Sequence, residues 1–293
     1  MTDFARPAGL DQAIELLAAG DALALAGGSD VVPLVRRGKR RPSILVDIRP
    51  LLPTGIEPDG DGLRIGAGTT LVAIERDPRI FGGYAALQQA AAAAAAPQLR
   101  NVGTVGGNLA QAVRCWYYRH PDLTCWLNGG DTCYAQIGDH RKHGLEAGDC
   151  ISVAPSDLSG PLAVLGARVT LRGPAGEREL ALLDMYARPD DAHRTALRLE
   201  PGELIVSLRL PAPPDASHYE RAGERAAWSF ALVAVAAARR GSEQRLVAIG
   251  VTNEPRELDP ADPLRGLDGL EQTGWKRRLL GALSARALAA TAP

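Results

Sequence analysis

Four cysteines lie close together in the middle of a chain that contains no others. Cys115, Cys125, Cys133 and Cys150 follow the pattern C-x9-C-x7-C-x16-C. Thiolates are strong ligands for soft metals, and four of them form the usual shell of an iron–sulfur cluster and of many structural zinc sites. The confinement of every thiol to one stretch therefore predicts a shared role for the four sulfur atoms.

The spacing alone leaves several interpretations open. A [4Fe–4S] cluster suits four thiolates, although the common ferredoxin spacings are absent. Structural zinc suits them too, but zinc sites usually contain close C-x2–4-C pairs, which this chain lacks. Two disulfides need an oxidising compartment, and plain buried thiols would be less tightly grouped. His120, His140 and His143 lie in the same stretch, and we interpret them as surface or hydrogen-bonding residues.

Length and charge narrow the class of protein. The chain has 293 residues, enough for one large domain or two modest ones, and its formal charge is −1. This balance favours neither nucleic acid nor a membrane surface as a partner. The N-terminus lacks a basic segment followed by an apolar stretch, and no apolar run is long enough to span a bilayer. We expect a cytoplasmic protein, periplasmic only if a partner carries the export signal.

The hydrophobic pattern alternates strand and helix through the first half of the chain, which is typical of an α/β domain. Predicted helices cover residues 11–20, 30–38 and 70–77, and predicted strands cover residues 22–28, 43–48 and 62–68. A short helix and a strand are predicted within residues 161–173.

A shift to turn-rich and polar composition marks a boundary near residues 175–185. Beyond it, the pattern predicts strands at residues 203–211 and 244–253 with a helix at residues 229–240 between them. The second part therefore has the character of an α+β unit.

Three glycine-rich turns accompany the predicted elements of the first half. They are A-G-G-S-D (26–30), G-A-G-T-T (66–70) and G-T-V-G-G-N (103–108). Glycine lets backbone N–H groups approach phosphate oxygens, so three such turns in one domain suit a dinucleotide. Each turn alone is also typical of an ordinary tight turn. A nicotinamide Rossmann site fits poorly, since Leu71 stands where the third glycine belongs.

These motifs, in this order, resemble the FAD-binding subunit of the xanthine dehydrogenase and molybdenum hydroxylase family over about residues 1–255. The segments that carry the resemblance are AGGSD (26–30), IGAGTT (65–70), RNVGTVGGNL (100–109), PSDLSGPLAVLGA (155–167), ELIVSLRLP (203–211) and YERAGERAAWSFALVAVA (219–236). The resemblance implies an α+β fold. A PCMH-type FAD-binding domain of two α/β subdomains would occupy residues 1–178. A C-terminal α+β domain like that of the CO dehydrogenase flavoprotein would occupy residues 183–290.

The resemblance also assigns residues to FAD. The turns at 26–30 and 104–108 would hold the pyrophosphate, and Asp157 would lie toward the ribose. Leu204 and Ile205 would lie beside the isoalloxazine ring. Arg221 stands where related proteins often carry a lysine. The residues implied to bind FAD are Ala26, Gly27, Gly28, Ser29, Asp30, Thr69, Asn101, Thr104, Gly106, Gly107, Asn108, Asp157, Leu204, Ile205 and Arg221, and no catalytic residue is implied.

The cysteines belong to an insertion relative to most members of that family. Asn108 and Asp157 are 49 positions apart, whereas the corresponding motifs usually follow one another closely. The insertion at about residues 110–152 resembles a subgroup with an additional [4Fe–4S] cluster, the 4-hydroxybenzoyl-CoA reductases and certain bacterial aldehyde oxidoreductases. The resemblance implies that all four cysteines hold this cluster. It also implies that neighbouring aromatic residues shield the cluster from water, namely Trp116, Tyr117, Tyr118 and Trp126.

The implied function is electron transfer by the FAD subunit of an oxidoreductase complex acting on an aldehyde, an N-heterocycle or an aryl-CoA. A large subunit would carry the molybdenum cofactor and a small subunit two [2Fe–2S] clusters, giving a heterotrimer or a dimer of heterotrimers. Ferredoxin, a quinone, a cytochrome or oxygen would be the external electron partner. Two alternatives remain: a stand-alone FAD oxidoreductase, and a flavin-free interaction subunit stabilised by zinc.

Overall fold

The computed structural model describes residues 2–225 and 229–293. Residues 226–228, part of the segment 219–236 that carries the resemblance, lie outside the described residues. The strands in the described ranges are β1 (Asp3–Ala5), β2 (Ala22–Leu25), β3 (Ile44–Asp47), β4 (Ile56–Asp59), β5 (Gly62–Gly66), β6 (Arg168–Gly173), β7 (Gly176–Ala181), β8 (Leu204–Leu210), β9 (Ala216–Gly223), β10 (Ala231–Arg240), β11 (Glu243–Ile249) and β12 (Arg256–Leu258).

Most helices are short and connect these strands. They are α1 (Leu10–Ala18), α2 (Val31–Arg36), α3 (Leu71–Arg76), α4 (Pro78–Gly83), α5 (Ala85–Ala93), α6 (Pro97–Arg100), α7 (Val105–Leu109), α8 (Trp116–Arg119), α9 (Tyr134–Ile137), α10 (Ser159–Val164) and α11 (Gly274–Ala290). The helices and strands predicted for the first half of the chain are confirmed. In the part of the chain that the structure describes, no helix is long and apolar enough to cross a membrane.

The N-terminal sheet is parallel, with the strand order β1-β3-β2. Parallel strands need crossover connections: α1 lies between β1 and β2, the two outer strands, and α2 connects the neighbours β2 and β3. Ala13 and Ile14 of α1 are buried in the core cluster of this sheet. The carboxyl end of β2 leads directly into the first glycine turn, so the turn lies at one edge of the sheet.

A five-stranded antiparallel sheet has the order β4-β5-β8-β6-β7. Its central strand, β8, pairs with β5 on one side and with β6 on the other. The sheet thus includes a strand from the C-terminal side of the predicted domain boundary. The segment around that boundary forms the β6–β7 hairpin, in which Gly173 is paired with Gly176. The division of the chain into domains at residues 1–178 and 183–290 stays a prediction.

The main hydrophobic core lies between this sheet and a second antiparallel sheet of order β12-β11-β10-β9. Helices α5 and α10 fill the space between the sheets. The cluster contains Leu87 of α5, Leu162 of α10, Leu208 of β8 and Ala236 of β10. Apolar side chains from both sides of the predicted boundary are therefore buried together.

The helix predicted at residues 229–240 is wrong, because β10 occupies Ala231–Arg240 and pairs antiparallel with β9 and β11. Val233 and Val235 belong to the core cluster of α11, whereas Ala234 and Ala236 belong to the main core. A strand buried on both faces reads as a continuous apolar run, which periodicity cannot distinguish from a buried helix.

Helix α11, which was not predicted, holds the cysteine-bearing insertion against the second sheet. The Lys276 side chain is 0% exposed. Its Nζ donates hydrogen bonds to the carbonyl oxygens of His143 (2.8 Å) and Lys142 (3.3 Å) in the insertion, and to that of Gly250 after β11. Burial lowers the pKa of Lys276 to about 7. One side chain thus connects α11, the insertion and the segment after β11. It also binds its proton less tightly in the folded chain than in the unfolded chain.

Replacing Lys276 with Met should change how stability depends on pH. Between pH 7 and the ordinary Lys pKa of 10.5, the unfolded chain binds a proton that the folded chain releases. The free energy of unfolding of the native protein should therefore rise with pH by up to about 1.4 kcal/mol per unit from this residue alone. The Lys276→Met variant lacks this contribution. The free energy of unfolding of the native protein, measured with urea, should therefore increase relative to that of the variant from pH 7 to pH 10.

Leu280→Met, one turn further along α11, is the matched control because it leaves no ionisable group changed. Its stability difference from the native protein should stay constant over the same pH range. A constant difference for Lys276→Met as well would contradict the prediction.

Candidate functional site

Two glycine turns meet backbone to backbone. A Cβ atom at Gly27 would lie 1.9 Å from the carbonyl oxygen of Val102 and 3.1 Å from the Cα of Gly103. No side chain fits that gap, so glycine is required for the turn after β2 to lie against the turn before α7. The next residue, Gly28, has φ +70°, a left-handed conformation that also favours glycine.

The turn at 66–70 supports the turn at 103–108 from behind. The backbone N–H of Val105 donates to the carbonyl oxygen of Thr69 (2.9 Å), and that of Gly106 to the carbonyl oxygen of Ala67 (2.9 Å). Thr104 begins α7, and its Oγ1 accepts from the N–H of Gly107 (3.1 Å). The turn at 66–70 therefore holds the turn at 103–108 in place.

A cavity of about 260 Å³ opens between the turn at 26–30, the turn at 103–108 and the start of β8. The predicted residues that line it are Ala26, Gly27, Gly28, Ser29, Asp30, Thr104, Gly106, Gly107, Leu204 and Ile205. Pairing of β6 with β8 passes from Ser207 directly to Ile205, which leaves a β-bulge at Val206. Bulges redirect neighbouring side chains, and this one lies beside the apolar wall of the cavity.

Five predicted residues do not line this cavity: Thr69, Asn101, Asn108, Asp157 and Arg221. Thr69 bonds through Oγ1 to the backbone of Gly55, and Asn108 accepts through Oδ1 from Ser156 Oγ (2.7 Å). A second cavity of about 170 Å³ shares its lining at Ala110 and Gln111 with the first. The contact of each predicted residue with FAD stays a prediction.

Asp157 lies in a buried network with two residues of β9. The carboxylate accepts hydrogen bonds from Tyr219 Oη (2.6 Å) and Arg221 Nε (3.1 Å), and Asp157 is 3% exposed. Burial raises the pKa of Asp157, while the Arg221 charge acts in the opposite direction. Because Arg221 also donates to the carbonyl oxygen of Ser229, its guanidinium is held in place on two sides.

Two arginines of the insertion converge on Asp30, and sequence reasoning missed both. The Asp30 carboxylate lies 2.7 Å from Arg119 Nη2 and 2.9 Å from Arg114 Nη1. Arg114 also stacks 4.0 Å above the ring of Phe230, and burial lowers its pKa to about 10. The signal was an arginine on each side of Cys115, but nothing in the sequence identified Asp30, 84 positions before Arg114 and 89 before Arg119, as their partner.

A third missed residue is Glu203, which lines the cavity just before Leu204. Both carboxylate oxygens accept from Arg178, each at 2.7 Å. These hydrogen bonds lower the pKa of Glu203, so the carboxylate remains ionised and paired.

The four cysteines line one small cavity of about 10 Å³, together with Tyr117 and Tyr118. All four are free thiols, and Cys133 has its pKa lowered to about 5 by a hydrogen bond from Cys150. Within residues 2–225 and 229–293, no three His, Cys, Asp or Glu side chains are arranged to hold a metal ion. Four thiols are the usual donor set of an iron–sulfur cluster, but the space among these four holds only about one water.

The histidines of the insertion differ in exposure. His143 Nε2 lies 3.2 Å from Cys115 Sγ, and its ring packs edge-on against Trp116 with centroids 4.7 Å apart. Burial lowers the pKa of His143 to about 4, and the Lys276 charge adds to this effect. His140 is also buried and hydrogen-bonded, whereas His120 is exposed. His140 and His143 are therefore hydrogen-bonding residues, and His120 is a surface residue, in agreement with the interpretation from the sequence.

A cavity between glycine turns beside a parallel sheet is typical of proteins that bind dinucleotide cofactors. A sequence model of one family, described as the FAD binding domain in molybdopterin dehydrogenase, matches residues 1–213. The chain therefore belongs to this family of FAD-binding proteins, as the sequence motifs indicated.

Known proteins with similar sequences carry related names. The aldehyde oxidoreductase FAD-binding subunit PaoB of Escherichia coli (strain K12) is 37% identical over 81% of this chain and 77% of its own length. The carbon monoxide dehydrogenase medium chain of Afipia carboxidovorans is 28% identical over 86% of this chain and 74% of its own length.

Solved structures show the same fold. A chain of reconstituted CO dehydrogenase from Oligotropha carboxidovorans superposes with a TM-score of 0.75 at 23% identity, covering 99% of this chain and 97% of the other. The expected α+β fold of the PCMH type is confirmed.

A Gly27→Ala substitution should weaken FAD binding at least about tenfold and lower the free energy of unfolding by about 1–3 kcal/mol, because the added methyl group forces the two turns apart. The measurement is quenching of flavin fluorescence on titrating FAD-depleted protein. Gly82→Ala in α4 is the matched control, since a Cβ there meets no atom within 4 Å. Equal FAD affinity in both variants would show that the contact between the turns does not support the site.

Proposed function

We propose that this chain is the FAD-containing electron-transfer subunit of a multi-subunit molybdenum hydroxylase. The observation that carries the proposal is the cavity between two touching glycine turns, in a chain of the molybdopterin dehydrogenase FAD-binding family. Bound FAD supplies the exchange between paired and single electrons, and the protein supplies its position and electrostatic surroundings.

The residues of the cavity divide into a polar and an apolar part. In the described ranges, no acceptor takes the backbone N–H groups of Gly27, Gly28 and Ser29, and free N–H groups of a turn suit phosphate oxygens. Leu204 and Ile205 offer an apolar wall, which suits a flat aromatic ring. This arrangement supports placing the pyrophosphate at the first turn and the isoalloxazine ring at the start of β8.

Substrate chemistry belongs to a partner in this proposal. Asp30 and Glu203 are the carboxylates that line the cavity, and both are in ion pairs with arginine. Neither carboxylate is free to act as a general base. We therefore assign substrate oxidation to a large subunit with the molybdenum cofactor. Two [2Fe–2S] clusters in a small subunit would connect that centre to FAD.

The names of similar proteins support an assembly of this kind. PaoB is named as a subunit of an aldehyde oxidoreductase, and a protein from Paenarthrobacter nicotinovorans is named as a subunit of the 6-hydroxypseudooxynicotine dehydrogenase complex. The first of these names favours an aldehyde over an N-heterocycle or an aryl-CoA as the substrate class.

Purification of the full chain after co-expression with the proposed large and small subunits tests this proposal. We expect a heterotrimer or a dimer of heterotrimers with one FAD per copy of this chain. An aldehyde should bleach the flavin absorbance of the complex but not that of the isolated chain. Oxidation of the aldehyde by the isolated chain would favour the stand-alone oxidoreductase. Absence of flavin from both preparations would favour the flavin-free interaction subunit.

We also propose that Cys115, Cys125, Cys133 and Cys150 hold one [4Fe–4S] cluster. The support is that all four cysteine residues line the same cavity and that none of them is in a disulfide. Because that cavity is small, the proposal requires the thiol side chains to turn outward when the cluster binds. Metal binding commonly orders such segments, so this rearrangement is consistent with the short helices of the insertion.

Analysis of iron and acid-labile sulfide in the isolated chain tests the cluster, with about four of each expected per chain. Replacing any one of the four cysteines with Ser should lower both, because each supplies one ligand. Tyr134→Phe is the matched control, since Tyr134 lines the same cavity and is not a proposed ligand. One zinc per chain without sulfide would contradict the proposal.

A further inference from the structure

Asp30 belongs to two structural units at once. It lines the cavity of the first glycine turn, and its carboxylate is the anchor of the first residues of the insertion. Oδ2 accepts from the backbone N–H of Ala112 (2.8 Å), and Oδ1 accepts from Arg119 Nη2 (2.7 Å). The turn and the insertion are therefore joined by charge-assisted hydrogen bonds, which are stronger than neutral ones.

Arg119 closes this part of the insertion around Asp30. Besides the carboxylate, it donates to the carbonyl oxygens of Val113 (2.7 Å) and Ala112 (3.1 Å). The side chains of Arg119 and Asp30 are each 13% exposed, so water screens the pair little. Arg119 does not line the cavity. The lining residue that Arg119 contacts directly is Asp30.

We propose that Arg119 is a positioning residue for FAD, which acts by fixing Asp30 and with it the first glycine turn. The inference rests on the proposed binding of FAD at that turn and needs no cluster. Coupling between two sites is reciprocal, so FAD should in turn stabilise the segment 112–119. Cys115 lies within this segment, and the position of the first cysteine then depends on the state of the flavin site.

The first measurement is the FAD affinity of the full chain after removal of bound flavin. Arg119→Ala should bind FAD about 5- to 30-fold more weakly than the native protein, a range typical of energetic coupling between sites. Asp30→Ala should also weaken binding. The double variant should be no weaker than Asp30→Ala alone, because Arg119 acts through that carboxylate.

The second measurement is amide hydrogen exchange of the segment 112–119 with and without FAD. FAD should slow exchange there in the native protein and much less in Arg119→Ala. A merely structural role for Arg119 would raise exchange equally in both states. Arg119→Lys retains the charge and should recover part of the FAD-dependent protection. Iron is measured in every sample, so that differences in metal content are not mistaken for coupling.

Arg239→Ala is the matched control. Arg239 likewise joins one carboxylate, that of Asp215, to two backbone carbonyl oxygens, and it lines none of the cavities described above. The Arg239→Ala variant should bind FAD with an affinity within about twofold of that of the native protein. A folded Arg119→Ala protein with native FAD affinity would overturn the inference. Native protein that binds no FAD would instead overturn the proposed function.

Discussion

The close approach of two backbone turns is the constraint on which the candidate site depends. Gly27 allows the loop after β2 to touch the backbone at Val102 and Gly103, and this contact brings together the parallel sheet and helices α6 and α7. Any side chain at that position would separate them. The cavity is therefore a property of the junction between two units, and neither unit forms it alone.

Buried charge is arranged around this junction in pairs. Asp157 with Arg221, and Asp30 with Arg114 and Arg119, place carboxylates and guanidinium groups where few waters reach. Isolated charges in such surroundings would be strongly unfavourable, whereas paired and hydrogen-bonded ones are tolerated. The pairing also fixes the side chains in one orientation each, which suits a site that must hold a large cofactor in one pose.

Local patterns predicted much of the fold, and long-range pairing explains most of what they missed. Helices α1 to α3, strands β2, β3 and β5 and the glycine turns follow from short-range spacing, whereas β1 and β4 were not predicted. The family motifs located Leu204 and Ile205 at the cavity. The strand β10 was mistaken for a helix because both of its faces are buried. The arginine partners of Asp30 could not be found, because ion pairs between distant segments leave no periodic signal.

The central position of β8 has a consequence for biosynthesis. A nascent chain carries β5 and β6 long before residues 204–210 leave the ribosome, and until then the two strands lack the neighbour that lies between them. Pairing over such a sequence separation is slow, since loop closure precedes any gain from contacts. The apolar wall of the cavity is made of the first residues of the same strand, Leu204 and Ile205, so the cavity is completed only after this strand has emerged. Flavin insertion is thereby confined to chains that have been synthesised past β8.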